Sequence, residues 1–395
     1  MPKTKNIVIA GAGGIGQAVA LILTEFSEAP PELFIGNRTL QKAERVVQWL
    51  RLGTSKLLKA HPFHLTTDEP TESMRTALEA GDVLLDCLPG HFAPQLARLA
   101  DAYGLGYANL TEHVRETREI ADFARRSESG YILQTGLAPG FINVLAMGLF
   151  KRFCEKFKVD QAGYIAMKVG ALTRHATAPH YYGFTWSPVG VATEYVQDTA
   201  CLRDFERVVL PALSEKEAVI INGVPYEADL TSGGAADLPE ALAGRVRRLD
   251  YKTLRYPGHY DWVRQQLEET PSGRNKVKYL QQTMEARIPQ LQDDMVLIYA
   301  SVEGNDHEGI WQKIEHTYNL HPQPIGRRHI LRAIQATTAA PLAQAADLLL
   351  TERVKGPVFQ SDLDPDTFLN GRFITAVYGK WNGGKVIPGG AQYKV

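Results

Sequence analysis

Apolar and polar positions follow a repeating order over the first 140 residues. Short apolar runs, of which residues 7–10 and 82–88 are the clearest, predict buried strands of a parallel sheet. Between such runs, apolar residues recur three and four positions apart, as at 40–50 and 93–103, which predicts helices. The alternation of strand and helix predicts an α/β fold with a doubly wound, mostly parallel sheet. Its strands are expected at 7–10, 32–36, 61–66, 82–88, 106–110 and 131–135.

The pattern changes beyond residue 140. Strand-like stretches alternate there with turns and at least two helices, without regular crossovers, which predicts an α+β domain with a mixed or antiparallel sheet. A long alanine-rich helix at 330–350 has a face suited to close packing, and we expect it to return to the first domain. The first domain is therefore predicted as 1–140 with a return of about 328–395, and the second as 141–327. The stretches predicted as strands are 163–170, 208–210, 218–221 and 295–303.

The first predicted strand leads directly into a glycine-rich turn. Gly11, Gly13 and Gly16 have the spacing G-x-G-x-x-G, and a helical pattern begins immediately afterwards. In such a unit the first glycine makes the turn, the second lets a pyrophosphate approach the backbone, and the third allows close helix packing. The helix N-terminus adds free N–H groups and a partial positive charge. We therefore predict a dinucleotide site at Gly11, Gly13, Gly14, Ile15 and Gly16, with an ordinary glycine-rich turn as the alternative.

The end of the second predicted strand bears on the choice of cofactor. Domains that bind NAD place an acidic residue there for the ribose 2′-OH, whereas this chain has Asn37, Arg38 and Thr39. Arg38 can pair with a 2′-phosphate, and its two neighbours can donate hydrogen bonds. These residues favour NADP over NAD. The alternative is that Arg38 lies on the surface and Thr39 caps the next helix.

The carboxyl end of the fourth predicted strand is a further candidate for contact with the cofactor. Leu88, Pro89 and Gly90 form the carboxyl end of that strand, at the edge where open α/β sheets bind ligands. His91 comes next, as a candidate contact or simply as a histidine at a helix start.

Composition and charge exclude several classes of protein. The 395 residues are 44% hydrophobic, which suits two domains of ordinary size. A formal net charge of −1 gives no electrostatic reason to expect a nucleic-acid or anionic-membrane partner. No apolar run approaches the roughly 18 residues of a membrane span, and the N-terminus leads into a strand rather than a signal-peptide core. The three cysteines lack metal-ligand spacing, so we expect reduced thiols, no metal site and a cytoplasmic protein.

Polar and aromatic residues cluster in the second domain and supply candidate catalytic groups. Arg255, Lys252 or Arg174 is a candidate clamp for a substrate carboxylate. His259 is the preferred candidate for moving a proton, and Tyr182 and Glu194 are the others. The alternative is that the aromatic residues form core and that His259 caps a helix or packs.

Taken together, the motifs resemble the saccharopine dehydrogenase family over nearly the full length of the chain. The resemblance implies a Rossmann domain, an α+β substrate domain and a homodimer. It also implies NAD(P)-dependent oxidoreduction at the C–N bond of an amine or imine derived from an amino acid, with a substrate like saccharopine or lysine. The matching stretches are residues 11–16, 88–90, 136–140 with Asn143, 184–188 with 194–195, 211–214, 232–233, 238–240 and 251–259.

Some residues depart from the pattern of saccharopine-forming reductases. Those enzymes usually carry Asp where this chain has Ala138, and a Cys-Gly-Gly-Leu-Pro run where it has residues 169–173. At both places the chain is more similar to lysine 6-dehydrogenases, although these can carry an acidic residue in place of Asn37 and Arg38. A lysine 6-dehydrogenase activity, a carboxyspermidine dehydrogenase-type activity and a non-catalytic NADP-binding protein are therefore kept as alternatives.

Overall fold

The structure is a computed structural model that describes residues 5–352 and 354–387. In chain order, its elements as far as α6 are β1 (Asn6–Ala10), α1 (Gly14–Phe26), β2 (Glu32–Asn37), α2 (Leu40–Gly53), β3 (Ala60–His64), α3 (Glu72–Ala80), β4 (Val83–Asp86), α4 (Ala93–Ala102), β5 (Gly106–Asn109), α5 (Val114–Ala124), β6 (Gly130–Ile132) and α6 (Phe141–Phe157). A short 3-10 helix, Gly90–Phe92, precedes α4.

The elements after α6 include most of the remaining strands. They are β7 (Ala162–Leu172), α7 (Pro188–Val196), β8 (Thr199–Arg203), β9 (Glu206–Leu210), β10 (Glu217–Ile221), β11 (Val224–Leu230), α8 (Leu238–Ala241), β12 (Val246–Arg255), α9 (His259–Glu268), α10 (Lys276–Arg287), β13 (Met295–Asn305), β14 (Trp311–Leu320), β15 (Gln323–Ile325), β16 (His329–Leu331), α11 (Ala333–Thr351), β17 (Gly356–Val358), α12 (Pro365–Leu369), α13 (Arg372–Tyr378) and β18 (Lys385–Ile387).

The chain divides into two compact units. The first contains the described residues up to Val144, Gln323–Leu331 and the described residues of 335–381. The second contains Leu145–Pro322, Arg332–Ile334 and the described residues from Asn382 to Ile387.

The first unit is built on a sheet of seven parallel strands in the order β17-β6-β5-β4-β1-β2-β3. Ile7, Val8 and Ile9 of the central strand β1 are buried, as expected for a strand covered on both faces. The strand order reverses at β1, which is where doubly wound sheets bind ligands. The predicted doubly wound parallel sheet is confirmed, and β17 adds a seventh strand that the sequence pattern did not reveal.

Register brings the carboxyl ends of three strands to one edge of this sheet. Ala10 at the end of β1 pairs with Gly36 of β2 on one side and with Asp86 of β4 on the other. The glycine turn, the end of β2 and the residues after β4 therefore lie side by side.

The second unit contains a nine-stranded mixed sheet. Its main path is β10-β11-β12-β7-β13-β14-β18, and the β8–β9 hairpin joins it at β12. β12 and β7 are parallel, whereas the other pairs are antiparallel. The predicted α+β unit with a mixed sheet is confirmed, although five of its strands, β8, β11, β12, β14 and β18, were not predicted.

Two boundaries near the end of the chain differ from the sequence prediction. The helix expected from residue 330 begins at Ala333, because His329–Leu331 instead form β16 and pair with β15. The expected return of 328–395 to the first domain is wrong for Lys385–Ile387, which pair with β14 of the second sheet. Residues 353 and 388–395 of that prediction lie outside the described residues. No helix in the described ranges is both long enough and apolar enough to cross a membrane.

Candidate functional site

The glycine turn of the first unit has a distinct steric environment at each of its three motif glycines. Gly11 has a φ of 117°, which favours glycine, and a Cβ there would lie 2.9 Å from the carbonyl oxygen of Cys87. At Gly16 a Cβ would overlap the carbonyl oxygen of Gly11, so a larger residue cannot bring the helix this close. A Cβ at Gly13 would meet no heavy atom within 4 Å, which leaves this backbone open to a ligand. Gly11 and Gly16 have the geometry expected of a tight turn and a close helix approach, and the approach of a pyrophosphate at Gly13 stays a prediction.

Helix α1 presents an uncapped N-terminus at the same turn. It begins at Gly14, and its N-cap residue, Gly13, supplies no side chain to bond the first N–H groups. The first helical turn, which includes Ile15, has no acidic residue. The amide dipoles there favour an anion, so the turn fits a pyrophosphate.

The residues after β2 place a cationic side chain and a hydroxyl near the same edge of the parallel sheet. Arg38 and Thr39 are exposed, and Asn37 donates from its amide to the carbonyl of Thr39 at 3.2 Å. Thr39 occupies the N-cap position of α2 but makes no capping hydrogen bond with its side chain. The structure thus contradicts the alternative that Thr39 caps this helix. The Thr39 hydroxyl can therefore bond to other groups.

The turn after β4 is shaped by a buried acid that sequence reasoning did not single out. The strand predicted to reach residue 88 ends at Asp86, because the Asp86 carboxylate accepts from the Leu88 N–H at 2.9 Å and turns the chain. Pro89 is exposed, and Gly90 lies so close to Thr111 that a side chain would clash with it. An acid inside an otherwise apolar run is the sequence signal that could have identified Asp86.

His91 follows this turn in the 3-10 helix. Its ring is exposed and lies 4.0 Å from the ring of Phe92. This position is compatible with either interpretation of His91, as a contact or as a residue at a helix start.

In the second unit, Arg255 lies at the centre of a buried polar cluster. Its Nε donates to the Tyr195 hydroxyl at 2.6 Å, and a terminal nitrogen donates to the Glu194 carboxylate at 3.1 Å. Its guanidinium carbon also lies 4.7 Å from the centre of the Tyr182 ring. Because the side chain is 1% exposed and these partners occupy it, the structure argues against the predicted role of Arg255 as a free carboxylate clamp.

His259 belongs to the same cluster and is held at both ring nitrogens. Its Nδ1 lies 2.6 Å from the carbonyl oxygen of His180, and its Nε2 lies 3.0 Å from the Tyr195 hydroxyl. Since a carbonyl only accepts, Nδ1 carries the hydrogen and Nε2 accepts from the tyrosine. Burial, and then the charge of Arg255, lower the pKa of His259 to about 3. The imidazole is neutral at physiological pH, which argues against the predicted proton carrier.

Lys252 lies on the opposite face of β12 from Arg255, because residues three apart in a strand point to opposite faces. It is 2% exposed, lies 3.1 Å from the Glu217 carboxylate and donates to the carbonyl of Glu215. Its cross-strand neighbour is Lys168, which also lies 3.1 Å from Glu217. Of Arg255, Lys252 and the three candidates for moving a proton, the structure therefore gathers four in one cluster and separates Lys252.

Two buried polar atoms stand out in the segment that packs against the Arg255 cluster. In the described part of the chain, neither Nδ1 of His180 nor Oγ1 of Thr185 has a hydrogen-bond partner. Buried polar atoms are normally paired, so such atoms mark places where a ligand or a water completes the bonding. Neither residue was singled out from the sequence.

The parallel sheet and its glycine turn together define a dinucleotide-binding α/β protein. A family model described as the saccharopine dehydrogenase NADP binding domain matches residues 7–135, and one for the saccharopine dehydrogenase C-terminal domain matches 136–371. The chain therefore belongs to the saccharopine dehydrogenase family of NAD(P)-binding oxidoreductases, which confirms the resemblance seen in the sequence.

Individual proteins that match the chain have low sequence identity to it. Mouse mitochondrial alpha-aminoadipic semialdehyde synthase is 22% identical over 206 residues, which are 51% of this chain. The chain spans about a fifth of the length of that curated relative, since the match covers 21% of it.

Solved structures show the same fold at low identity. Apo saccharopine dehydrogenase (L-Glu forming) from Saccharomyces cerevisiae is 15% identical, with a TM-score of 0.74 over 97% of this chain and 100% of that one. Homospermidine synthase from Legionella pneumophila, in complex with NAD, is 14% identical, with a TM-score of 0.68 over 99% and 92%.

Proposed function

We propose that the protein is an NADP-dependent dehydrogenase that acts on the C–N bond of an amine or imine derived from an amino acid, with a substrate like saccharopine or lysine. The observation that carries the proposal is the glycine cradle, in which Gly13 leaves the backbone open beside an uncapped helix N-terminus. Membership of the saccharopine dehydrogenase family supports the reaction class.

The first unit would hold the dinucleotide through groups at the glycine turn and at the end of β2. The N–H groups of Gly14 and Ile15, at the start of α1, would bind the pyrophosphate. Arg38 would pair with the 2′-phosphate, and the Thr39 hydroxyl would donate to it. When bound, a nicotinamide dinucleotide supplies or accepts a hydride.

In the second unit, a directional chain of hydrogen bonds would fix the groups that meet the substrate. Arg255 donates to the Tyr195 hydroxyl, which donates to His259, which donates to the His180 carbonyl. We assign His259 a positioning role, since it orients Tyr195 and so Arg255. Glu194, whose carboxylate accepts a hydrogen bond from Arg255, has 14% of its side chain exposed, compared with 1% for Arg255. We propose that it meets the substrate's amino group.

The preference for NADPH or NADH tests the dinucleotide site that we propose in the first unit. Wild-type protein should bind NADPH more tightly than NADH in fluorescence titrations. The Arg38→Gln variant should lose about tenfold or more in NADPH affinity, because a charge-assisted pair to phosphate contributes about 1.5–3 kcal/mol. Its NADH affinity should stay unchanged. Equal wild-type affinity for both dinucleotides would remove the assignment of Arg38.

Substrate class is tested by turnover of lysine, saccharopine, ornithine and polyamines with both cofactors. Saccharopine turnover favours a saccharopine dehydrogenase, lysine turnover a lysine 6-dehydrogenase, and polyamine turnover a carboxyspermidine dehydrogenase-type activity. A homodimer is also proposed, and light scattering of the purified protein measures it.

A non-catalytic NADP-binding protein is the second candidate. The burial of Arg255 and His259 favours it, because neither side chain is open to a substrate in the described structure. Tight NADPH binding without amine-dependent turnover in the same substrate panel would establish this candidate in place of the dehydrogenase.

A further inference from the structure

A buried carboxyl group adjoins the proposed dinucleotide turn. Asp86 ends β4, pairs in register with Ala10 at the end of β1, and is 2% exposed. Its two oxygens have different partners. Oδ1 accepts from the Leu88 N–H at 2.9 Å, and Oδ2 accepts from the Tyr107 hydroxyl at 2.8 Å.

The groups that neighbouring elements bring to Asp86 are uncharged. From β5 come the phenol of Tyr107 and the amide of Asn109, which lies 3.4 Å from that phenol. Strand β1 brings Ala10, and the start of α4 brings the carbonyl of Ala93. No cationic side chain forms an ion pair with this carboxyl in the described ranges.

Two further titratable groups lie close by, and both are neutral near pH 7. Burial raises the pKa of the adjoining Cys87 thiol, and it raises the pKa of Tyr131, whose ring centre lies 5.8 Å from that of Tyr107, to about 12. For Asp86 itself, burial outweighs the hydrogen bonds from Leu88 and Tyr107 and raises the pKa to about 7. The carboxyl therefore changes its protonation state in the neutral range.

Both protonation states can be satisfied by hydrogen bonds. The Tyr107 hydroxyl hydrogen has two possible acceptors, Oδ2 of Asp86 at 2.8 Å and the Ala93 carbonyl at 3.2 Å. When Asp86 is ionised, the tyrosine donates to it. When Asp86 is protonated, the acid donates to the tyrosine, whose own hydrogen turns to Ala93. In both states Oδ1 can accept the hydrogen bond from the Leu88 N–H.

The turn that Asp86 holds lies against the glycine loop. A Cβ at Gly11 would lie 2.9 Å from the Cys87 carbonyl oxygen and 3.2 Å from a methyl group of Leu88. A pyrophosphate bound at that loop disfavours a nearby ionised carboxylate, because like charges repel strongly where water is excluded. We propose that Asp86 is a positioning residue that takes up a proton when a dinucleotide binds, so that affinity falls as pH rises through neutrality. This inference rests on the proposed dinucleotide site.

The test is the pH dependence of NADH binding between pH 5.5 and 9, followed by fluorescence. NADH is the probe because it lacks the 2′-phosphate, whose own ionisation near pH 6 would add a second pH dependence. Wild-type affinity should weaken above neutral pH by up to about tenfold per pH unit, the limit for one linked proton. Asp86→Asn should bind without this dependence, since its amide donates to Tyr107 as the protonated acid does. Calorimetry in two buffers of different ionisation enthalpy should detect proton uptake in the wild type only.

Two more variants separate a linked proton from a general effect on folding. Tyr107→Phe removes a hydrogen bond that favours the ionised acid, so the midpoint of the pH dependence should move to higher pH. Asp101→Asn is the matched control, because exposed Asp101 also accepts from a tyrosine, Tyr131 at 3.1 Å, and it should keep the wild-type profile.

The outcomes distinguish this inference from the function on which it rests. Binding of NADH that does not depend on pH in the wild type overturns the role of Asp86 alone. So does a wild-type pH profile in Asp86→Asn. Failure of both NADH and NADPH to bind at every pH overturns the proposed function, and the inference with it.

Discussion

Replacing Asp86 by Asn should stabilise the folded protein at alkaline pH and much less at acid pH. Burial raises the pKa of Asp86 in the folded chain to about 7, from an ordinary value of 3.8. Between these values the folded state keeps a proton that the unfolded state has lost, so the wild-type free energy of unfolding falls as pH rises towards 7. The difference of about three pKa units corresponds to about 4 kcal/mol at and above neutral pH. Asparagine ionises in neither state and avoids this cost.

Chemical denaturation at pH 5 and pH 8.5 measures the effect. The stability advantage of Asp86→Asn over the wild type should grow by about 3 kcal/mol between the two, because at pH 5 only part of the cost is present. Asp101→Asn, at an exposed carboxylate, should show little change between the same two pH values. An advantage that stays constant from pH 5 to pH 8.5 would refute the assignment of a buried, titrating acid.

The glycine turn and the buried cluster give further predictions. Gly16→Ala should destabilise the protein by about 1–3 kcal/mol in thermal or chemical unfolding, because its methyl group would overlap the Gly11 carbonyl. Gly13→Ala should change stability by no more than about 1 kcal/mol, since its Cβ meets no atom, yet should weaken NADPH binding. Equal losses of stability in these two variants would contradict their different roles. His259→Gln should lose about 1–3 kcal/mol of stability and most turnover while NADPH binding persists, because the hydrogen bonds that orient Tyr195 are broken. Full turnover in that variant would remove its positioning role.

The dinucleotide turn could be predicted from the sequence because its determinants are local. The spacing of Gly11, Gly13 and Gly16 directly specifies a tight turn, an open backbone and a close helix approach, and the structure shows each. The strands around this turn could also be predicted from the sequence, because strands buried on both faces appear as continuous apolar runs.

The geometry of the second unit depends on contacts that local sequence does not encode. Tyr195 and His259 are 64 positions apart and meet only because the fold brings α7 beside the start of α9. The sequence identified His259 and Arg255 as polar residues of interest but not their burial, which decides the pKa of the histidine. Recognising β12 as a strand would have separated Lys252 from Arg255, because they then point to opposite faces.

The proposed reaction is an exchange of hydride between a bound nicotinamide dinucleotide and the C–N bond of an amino-acid substrate. The most direct measurement is the absorbance of the nicotinamide band when wild-type protein is mixed with NADP⁺ and either saccharopine or lysine. We expect a rise that requires the amine, and we expect Glu194→Gln to suppress this rise while NADPH binding is retained. Tight NADPH binding with no amine-dependent change in that band, for any member of the substrate panel, would contradict the proposed dehydrogenase function.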